Sequence, residues 1–196
     1  TDDMAQVAAR YALPLSRRGD VLAVAETPLA ITQGRFRHPS TVRPSWLSRA
    51  LCRLFHPTSS LATACGMQTL VDLVGPIRTC LAALAGAALR LLGLRGGFYA
   101  LAGPQAALID DVTGTAPPYD KFLCLGPCLP GIAAERIKRQ TGLETAVVDV
   151  NDLSHKTGGL RVLAMTSGVD AGWLKSALLQ NPAGNGAQRT PLVLLR

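Results

Sequence analysis

Apolar and polar positions alternate along this chain in short stretches of changing period. Residues 3–12 carry apolar side chains at helical spacing and predict a short amphipathic helix that ends before Pro14. Asp20–Ala25 (DVLAVA) is a short apolar run after the turn chemistry of Arg17-Arg18-Gly19, and predicts a buried strand. Ile31–Phe36 reads as a second strand beyond Pro28. Pro39, Pro44 and Pro57 punctuate the next stretch and leave a helical segment at Trp46–Phe55. A longer helical region runs from Met67 to Leu94, interrupted near Gly75-Pro76.

After Gly96-Gly97 the texture changes. Phe98–Ala102, Ala106–Ile109 and Phe122–Leu125 read as short strands, with Pro117-Pro118 as a rigid turn. Ile132–Thr141 is amphipathic and predicts a helix stopped by Gly142. Strands follow at Glu144–Val150 and Arg161–Met165, then a helix at Ala171–Gln180 and a closing strand at Pro191–Leu195. Strands and helices in this irregular order predict an α+β fold of mixed sheets and helices. The expectation is one domain over residues 1–196, divisible into lobes at 1–97 and 98–196. The chain opens on Thr1, as expected of a sequence whose natural N-terminus extends further.

Composition narrows the class. Hydrophobic residues make up 48% of the 196 and charged residues 17%, which excludes a disordered chain and implies a large core, a subunit interface, or both. The net charge is +7, but aromatics are 5% and no stretch interleaves them with the basic residues. That argues against nucleic acid and for a polyanionic small molecule, such as a nucleotide or polycarboxylate. The five cysteines include Cys124 and Cys128 without a second ligand pair at zinc spacing, so reduced thiols in a cytoplasmic protein are expected. Residues 1–12 lack the basic-then-apolar pattern of a secretory signal. Thr79–Leu89 (TCLAALAGAAL) is uncharged but far short of the roughly 20 residues a bilayer needs. It reads as a helix packed inside the protein or across a dimer interface, and no membrane span is expected.

Acidic residues at the ends of apolar runs carry the candidate chemistry. Asp110 and Asp111 follow Ala106–Ile109, and Asp149 and Asp152 close or follow Thr145–Val148. Carboxylates so placed suit Mg²⁺ or Mn²⁺ beside phosphates, because the ion needs only one or two of them and completes its shell with phosphate oxygens and water. The same residues also suit plain Asp/Asn turns. Arg35, Arg37 and Lys121 are the basic candidates near predicted strand ends. The segment Asn181–Pro191 is a glycine-rich polar loop, and no P-loop or dinucleotide fingerprint is present. His155 stands nearest the second acidic cluster, without a nucleophile paired to it.

GDVLAVAETPLAITQGR (Gly19–Arg35), AGPQAALIDDVTGTAPPYDKF and AVVDVNDL together resemble the coenzyme F-420 gamma-glutamyl ligase family, as a divergent sub-group. The resemblance implies an entwined two-lobed protomer, a homodimer, and a site in a groove at its interface. It implies nucleotide-dependent condensation of L-glutamate onto a deazaflavin, folate or pterin-like acceptor through an acyl-phosphate, with GTP or ATP as co-substrate and Mg²⁺ or Mn²⁺. Mapped by motif, Asp110 takes the place of the first metal carboxylate, and Asp149 or Asp152 that of the second. Asn185 lies where the family has a metal-side glutamine, Thr113 where it has a nucleotide-contacting polar residue, and Arg35 where it has a phosphate contact. Ala30-Ile31 stands where the family carries Ser-Lys. The alternative is a non-catalytic paralogue that binds nucleotide or metal.

Overall fold

The computed structural model describes residues 3–94, 96–110, 118–150, 160–179 and 190–196. The chain divides into two compact units, Thr1–Arg35 with Pro127–Arg196, and Phe36–Gly126. Mixed helices and sheets make the architecture α+β.

The first unit holds helix α1 (Met4–Tyr11), strand β1 (Val21–Ala25) and helix α2 (Glu26–Thr32) from its first segment. Its second segment adds α7 (Pro130–Thr141), β4 (Glu144–Val150), β5 (Leu160–Met165), α8 (Ala171–Leu178) and β6 (Leu192–Leu195). Among the described residues these strands form one sheet in the order β5-β4-β1-β6. The strand β1 runs parallel to β4 and antiparallel to β6, and β5 returns antiparallel beside β4.

Alternation sorts the side chains of β1 between two cores. Leu22 and Val24 pack with Met4, Ala8, Ala134, Ile137 and Val147 under α1 and α7. Val21 and Ala23 pack with Ala146, Val148, Leu174, Leu178 and Leu195 under α8. A strand covered on both faces must be apolar at every position, which is why VLAVA carries no polar residue.

Local chemistry sets the helix ends. The carboxylate of Asp3 accepts from the amide of Ala5 to cap α1 and also pairs with Arg136 of α7. Pro130 opens α7 at a position where its missing amide costs nothing, and Gly142 ends it at φ 75°. Just beyond, Glu144 accepts from Lys138 at 2.7 Å, from the Thr166 hydroxyl and from the Gly168 amide at 3.2 Å. The Lys138 bond first, then the Thr166 bond, holds its carboxyl below the ordinary 4.5. A depressed carboxylate stabilises the fold above its unfolded value, and that contribution disappears as pH falls through the folded value. Glu144→Gln should therefore cost about 0.5–1 kcal/mol at pH 7 in urea unfolding. Once the pH has fallen through that lowered value the two proteins should converge; a difference that persists in stronger acid would place the effect in packing instead.

The second unit carries β2 (Phe36–Arg37), α3 (Trp46–Leu51), α4 (Ala64–Val74), α5 (Pro76–Leu91), α6 (Gly97–Ala102) and β3 (Leu123–Cys124). Its core joins Leu61, Met67, Leu70, Ala82, Phe98, Ala102 and Ile109. At Gly86 an added Cβ would lie 2.9 Å from the Cβ of Phe98, so a glycine is what lets α5 and α6 approach. The Gln68 side chain ties α4 to α3. Its oxygen accepts from the Ser45 amide at 2.8 Å and the buried Ser48 hydroxyl at 2.7 Å, and its nitrogen donates to Asp72 at 2.7 Å. Asp72 in turn pairs with Arg37 at 2.6 Å.

Three expected strands are wholly or partly helical instead. Residues 26–32 form α2, with Pro28 tolerated in its first turn and Leu29 and Ala30 buried, so of the predicted Ile31–Phe36 strand only Phe36 is in a strand, which continues to Arg37. Phe98–Ala102 lies in α6, where Phe98 and Ala102 are one turn apart and both buried, and Pro104–Leu108 is a 3₁₀ turn. Short apolar runs fit either period, and packing against α5 decides this one. No single helix among the described residues is long and apolar enough to cross a membrane. The α4 and α5 pair has the length and composition together, but bends by 115° between them.

Candidate functional site

Because β1 and β4 are parallel and Ala25 pairs with Val148, both strands end on one edge of the sheet. Open sheets place ligands at the carboxyl edge of parallel strands, where loops and helix ends converge. Glu26, buried, opens α2 at that edge, and Asp149 lies one residue beyond the paired Val148. Asp149 is half-buried and faces Arg161 across the β4–β5 register. Burial pushes its carboxyl above the ordinary 3.8, and the Arg161 charge opposes that. A carboxylate in this state gains from any cation brought to it.

A groove of about 600 Å³ lies in the same unit, lined by the first turn of α1, the end of α2 and the first half of α7. The helix α7 joins β4 through the two residues Gly142 and Leu143 and folds back over the sheet, so its first turn lies toward the carboxyl edge. Arg35 and Arg136 are its cationic lining residues, beside Gln33, Thr32, Cys128 and Ile132.

The way Arg35 reaches this groove is written in local geometry. Gly34 takes φ 71°, its amide donates to Ile31 O at 2.9 Å, and the Arg35 amide donates to Ala30 O at 2.9 Å. These two bonds make the paired glycine cap of a helix end, which requires the left-handed residue. The Gly34-Arg35 dipeptide is therefore a helix terminator that delivers an arginine. Gln33 secures the position from the other side: its Nε2 donates to Cys128 O at 2.9 Å, and the Cys128 amide donates to its Oε1 at 2.7 Å. A doubly bonded side-chain amide replaces a strand pairing and pins α2 to the segment before α7.

In the second unit, Asp110 exchanges both backbone bonds with Cys124, at 2.8 and 2.9 Å, in a single bridge. Cys124 also pairs with Phe36 of β2. Burial, and then the Asp110 charge, push the Cys124 thiol up to about 11, so it stays protonated and unreactive at neutral pH. The five cysteines are free, and Cys128 is exposed. Lys121 is exposed and lies in sequence between Tyr119 and Phe122, whose rings pack with that of Phe36.

Of the predicted site residues, Arg35 and Asp149 belong to the first unit, and Asp110 and Lys121 to the second. Thr113, Asp152 and Asn185, like Asp111 and His155, lie outside the described residues. Among the described residues there is no group of three His, Cys, Asp or Glu arranged to hold a metal ion. Magnesium beside phosphates does not need one, since one or two carboxylates suffice, and the desolvated Asp149 on a rigid strand end fits that requirement. Sequence reasoning missed Gln33, Arg136, Asp3 and Cys128. Only Arg136, a basic residue in the first half of an amphipathic helix, carried any signal. Compared with protein-family models and with curated proteins, the chain matches none of them.

Proposed function

We propose that this protein is a nucleotide- and metal-dependent γ-glutamyl ligase of the entwined two-lobed type, cytoplasmic and homodimeric. It adds L-glutamate to a deazaflavin, folate or pterin-like acceptor. The observation that carries the reading is the groove, where Arg35 and Arg136 stand together near the carboxyl edge of β1 and β4. Two arginines in one concave site suit a polyphosphate or polycarboxylate, which bidentate guanidinium contacts recognise better than a lone ammonium would.

In this reading the acceptor carboxylate attacks the terminal phosphorus of GTP or ATP. The new P–O bond forms as the bond to the nucleoside diphosphate breaks. The glutamate amine then attacks the acyl carbon, phosphate leaves with the C–O electron pair, and the ammonium proton is released to solvent. Arg35 holds the phosphates in line while negative charge moves toward the leaving diphosphate. Arg136, already paired with Asp3, is oriented to take a second anionic group. Asp149 would hold Mg²⁺ or Mn²⁺, which when bound neutralises phosphate charge; the resemblance assigns the first metal carboxylate to Asp110 and the second to Asp149 or Asp152. The resemblance assigns a nucleotide contact to Thr113 and a metal-side contact to Asn185, and Lys121 is the further basic candidate for the nucleotide.

The test is a thermal-shift screen of GTP and ATP with Mg²⁺ and Mn²⁺, followed by phosphate release with glutamate and folate or deazaflavin acceptors. A nucleotide- and metal-dependent rise in Tm is expected, with phosphate released only when glutamate and acceptor are both present. The product should gain the mass of one glutamyl residue. Asp149→Ala should abolish release. A shift without turnover would point to the non-catalytic paralogue, and no shift with any nucleotide would sink the ligase reading.

A further inference from the structure

We propose that the outer face of α5 is a self-association surface, docking antiparallel on the same helix of a second copy of this chain. This deepens the homodimer of the reading above by naming its surface and rests on that reading for the dimeric state alone, so a dimer untouched at Leu84 sinks this surface without touching the ligase chemistry. A helix with apolar side chains on two opposite faces is made to be covered on both, and the second unit covers only one side of this one. Thr79, Ala82 and Ala83 are buried toward its core, and Gly86 abuts Phe98. The other side exposes Ile77 at 76%, Leu81 at 60%, Leu84 at 70% and Leu91 at 89%. Ala87 and Ala88 are exposed on the same face, and Cys80 is half-buried there. At 3.6 residues per turn these positions fall within about 60° of Leu84, along roughly 21 Å of helix.

The stripe identifies its own occupant. Leu84 is seven residues from both Ile77 and Leu91, while Leu81 stands three before it and Ala87 and Ala88 three and four after it. An antiparallel copy with Leu84 on the two-fold axis sets Ile77 against Leu91 of the second copy. It also seats Leu81 against the small pair Ala87 and Ala88, so bulky side chains meet small ones and the interface closes on itself. A lipid surface or an unrelated partner would accept any apolar spacing and gives no reason for placement that balances about one residue. Arg78 and Arg90 stand about 120° to either side of the stripe, so neither enters it. Arg78 is turned onto its own unit, its Nε donating to Leu101 O at 2.9 Å.

The area agrees. Large apolar side chains present about 100 Å² each when fully exposed, so the stripe with Leu92 and its alanines offers about 400–500 Å² per copy. That matches the apolar share of a standard-size protein interface, which buries about 800 Å² per partner, somewhat more than half of it apolar.

Light scattering on the full chain over a concentration series tests this. Wild type is expected at twice the 20.6 kDa chain mass. Leu84→Glu brings like charges together on the axis and should weaken association at least about a hundredfold with unchanged far-UV circular dichroism. Leu84→Cys should form a covalent dimer on mild oxidation, whereas Leu54→Cys, exposed elsewhere on the unit, should not. The Leu84→Cys result stands even if Leu84→Glu fails to fold. A wild type that stays monomeric throughout, or a dimer that Leu84→Glu leaves intact, overturns the proposal. Monomers that sediment with phosphatidylcholine vesicles would overturn it too, in favour of a lipid surface.

Discussion

Arg35→Ala should weaken binding of GTP or ATP in the presence of Mg²⁺ by ten- to a hundredfold, measured by titration calorimetry. The expected size is that of a lost charge-assisted hydrogen bond pair, about 1.5–3 kcal/mol. The Gly34 cap sends this side chain off the end of α2 into the groove, and Gln33 holds that end against Cys128. Removing the guanidinium leaves this backbone scaffold in place, so circular dichroism and Tm should hardly change. Arg35→Lys should fall between wild type and Ala, since an ammonium keeps the charge but cannot present the planar fork. Arg53→Ala, in α3's trailing 3₁₀ turn of the other unit, is the control and should bind as wild type does. Equal affinity for Arg35→Ala and wild type would remove this groove from the nucleotide site, whatever activity the protein has.

The largest loss of stability is expected from Leu22→Ala. Leu22 is wholly buried in β1, a strand with neighbours on both sides, and it touches the core that joins α1 and α7 to the sheet. Truncating a buried leucine loses its transfer free energy and leaves a cavity, about 2–5 kcal/mol in all. Against a total stability of about 5–15 kcal/mol this is a large fraction. Urea unfolding should show a midpoint shift of that size. Leu15→Ala, at a residue 69% exposed, should shift it by less than about 0.5 kcal/mol. A small effect at Leu22 would mean that β1 is not the strand on which both layers of helices rest.

Much of the local structure was legible. The helices over residues 3–12, 46–55, 67–94 and 132–141 appear in place with small shifts of their ends, as do the strands near residues 20–25, 144–150 and 161–165. They were readable because each is long, or is bounded by Pro and Gly whose backbone limits are intrinsic. The break at Gly75-Pro76 is one example: Gly75 takes φ 88° and Pro76 opens the next helix. Residues 31–36, 98–102 and 106–109 were misread because a short apolar run satisfies a strand and a helix equally. What settles such a run is the neighbour it packs on: the core under α1 and α7 for Leu29, and α5 for Phe98.

The site divides in the same way. Asp149 was visible because a carboxylate at the end of an apolar strand is a pattern within a few residues. Arg35 was visible as a charge near a predicted strand end. The Gln33–Cys128 clasp spans 95 residues, and the meeting of Arg35 with Arg136 spans as many again, so no local pattern could announce either.

By itself, the sequence determined the α+β class, the apolar strand DVLAVA, the cap at Gly142, and the carboxylate at the end of β4. All of these follow from side-chain period and intrinsic backbone preference. Tertiary structure alone decided that β1 pairs with β4 and β6 from the far end of the chain, and that α2 and α6 are helices. It alone brought Arg35 and Arg136 into one groove and left a balanced apolar stripe of α5 facing outward. Those outcomes depend on which distant surfaces bury one another, and burial is a property of the folded whole.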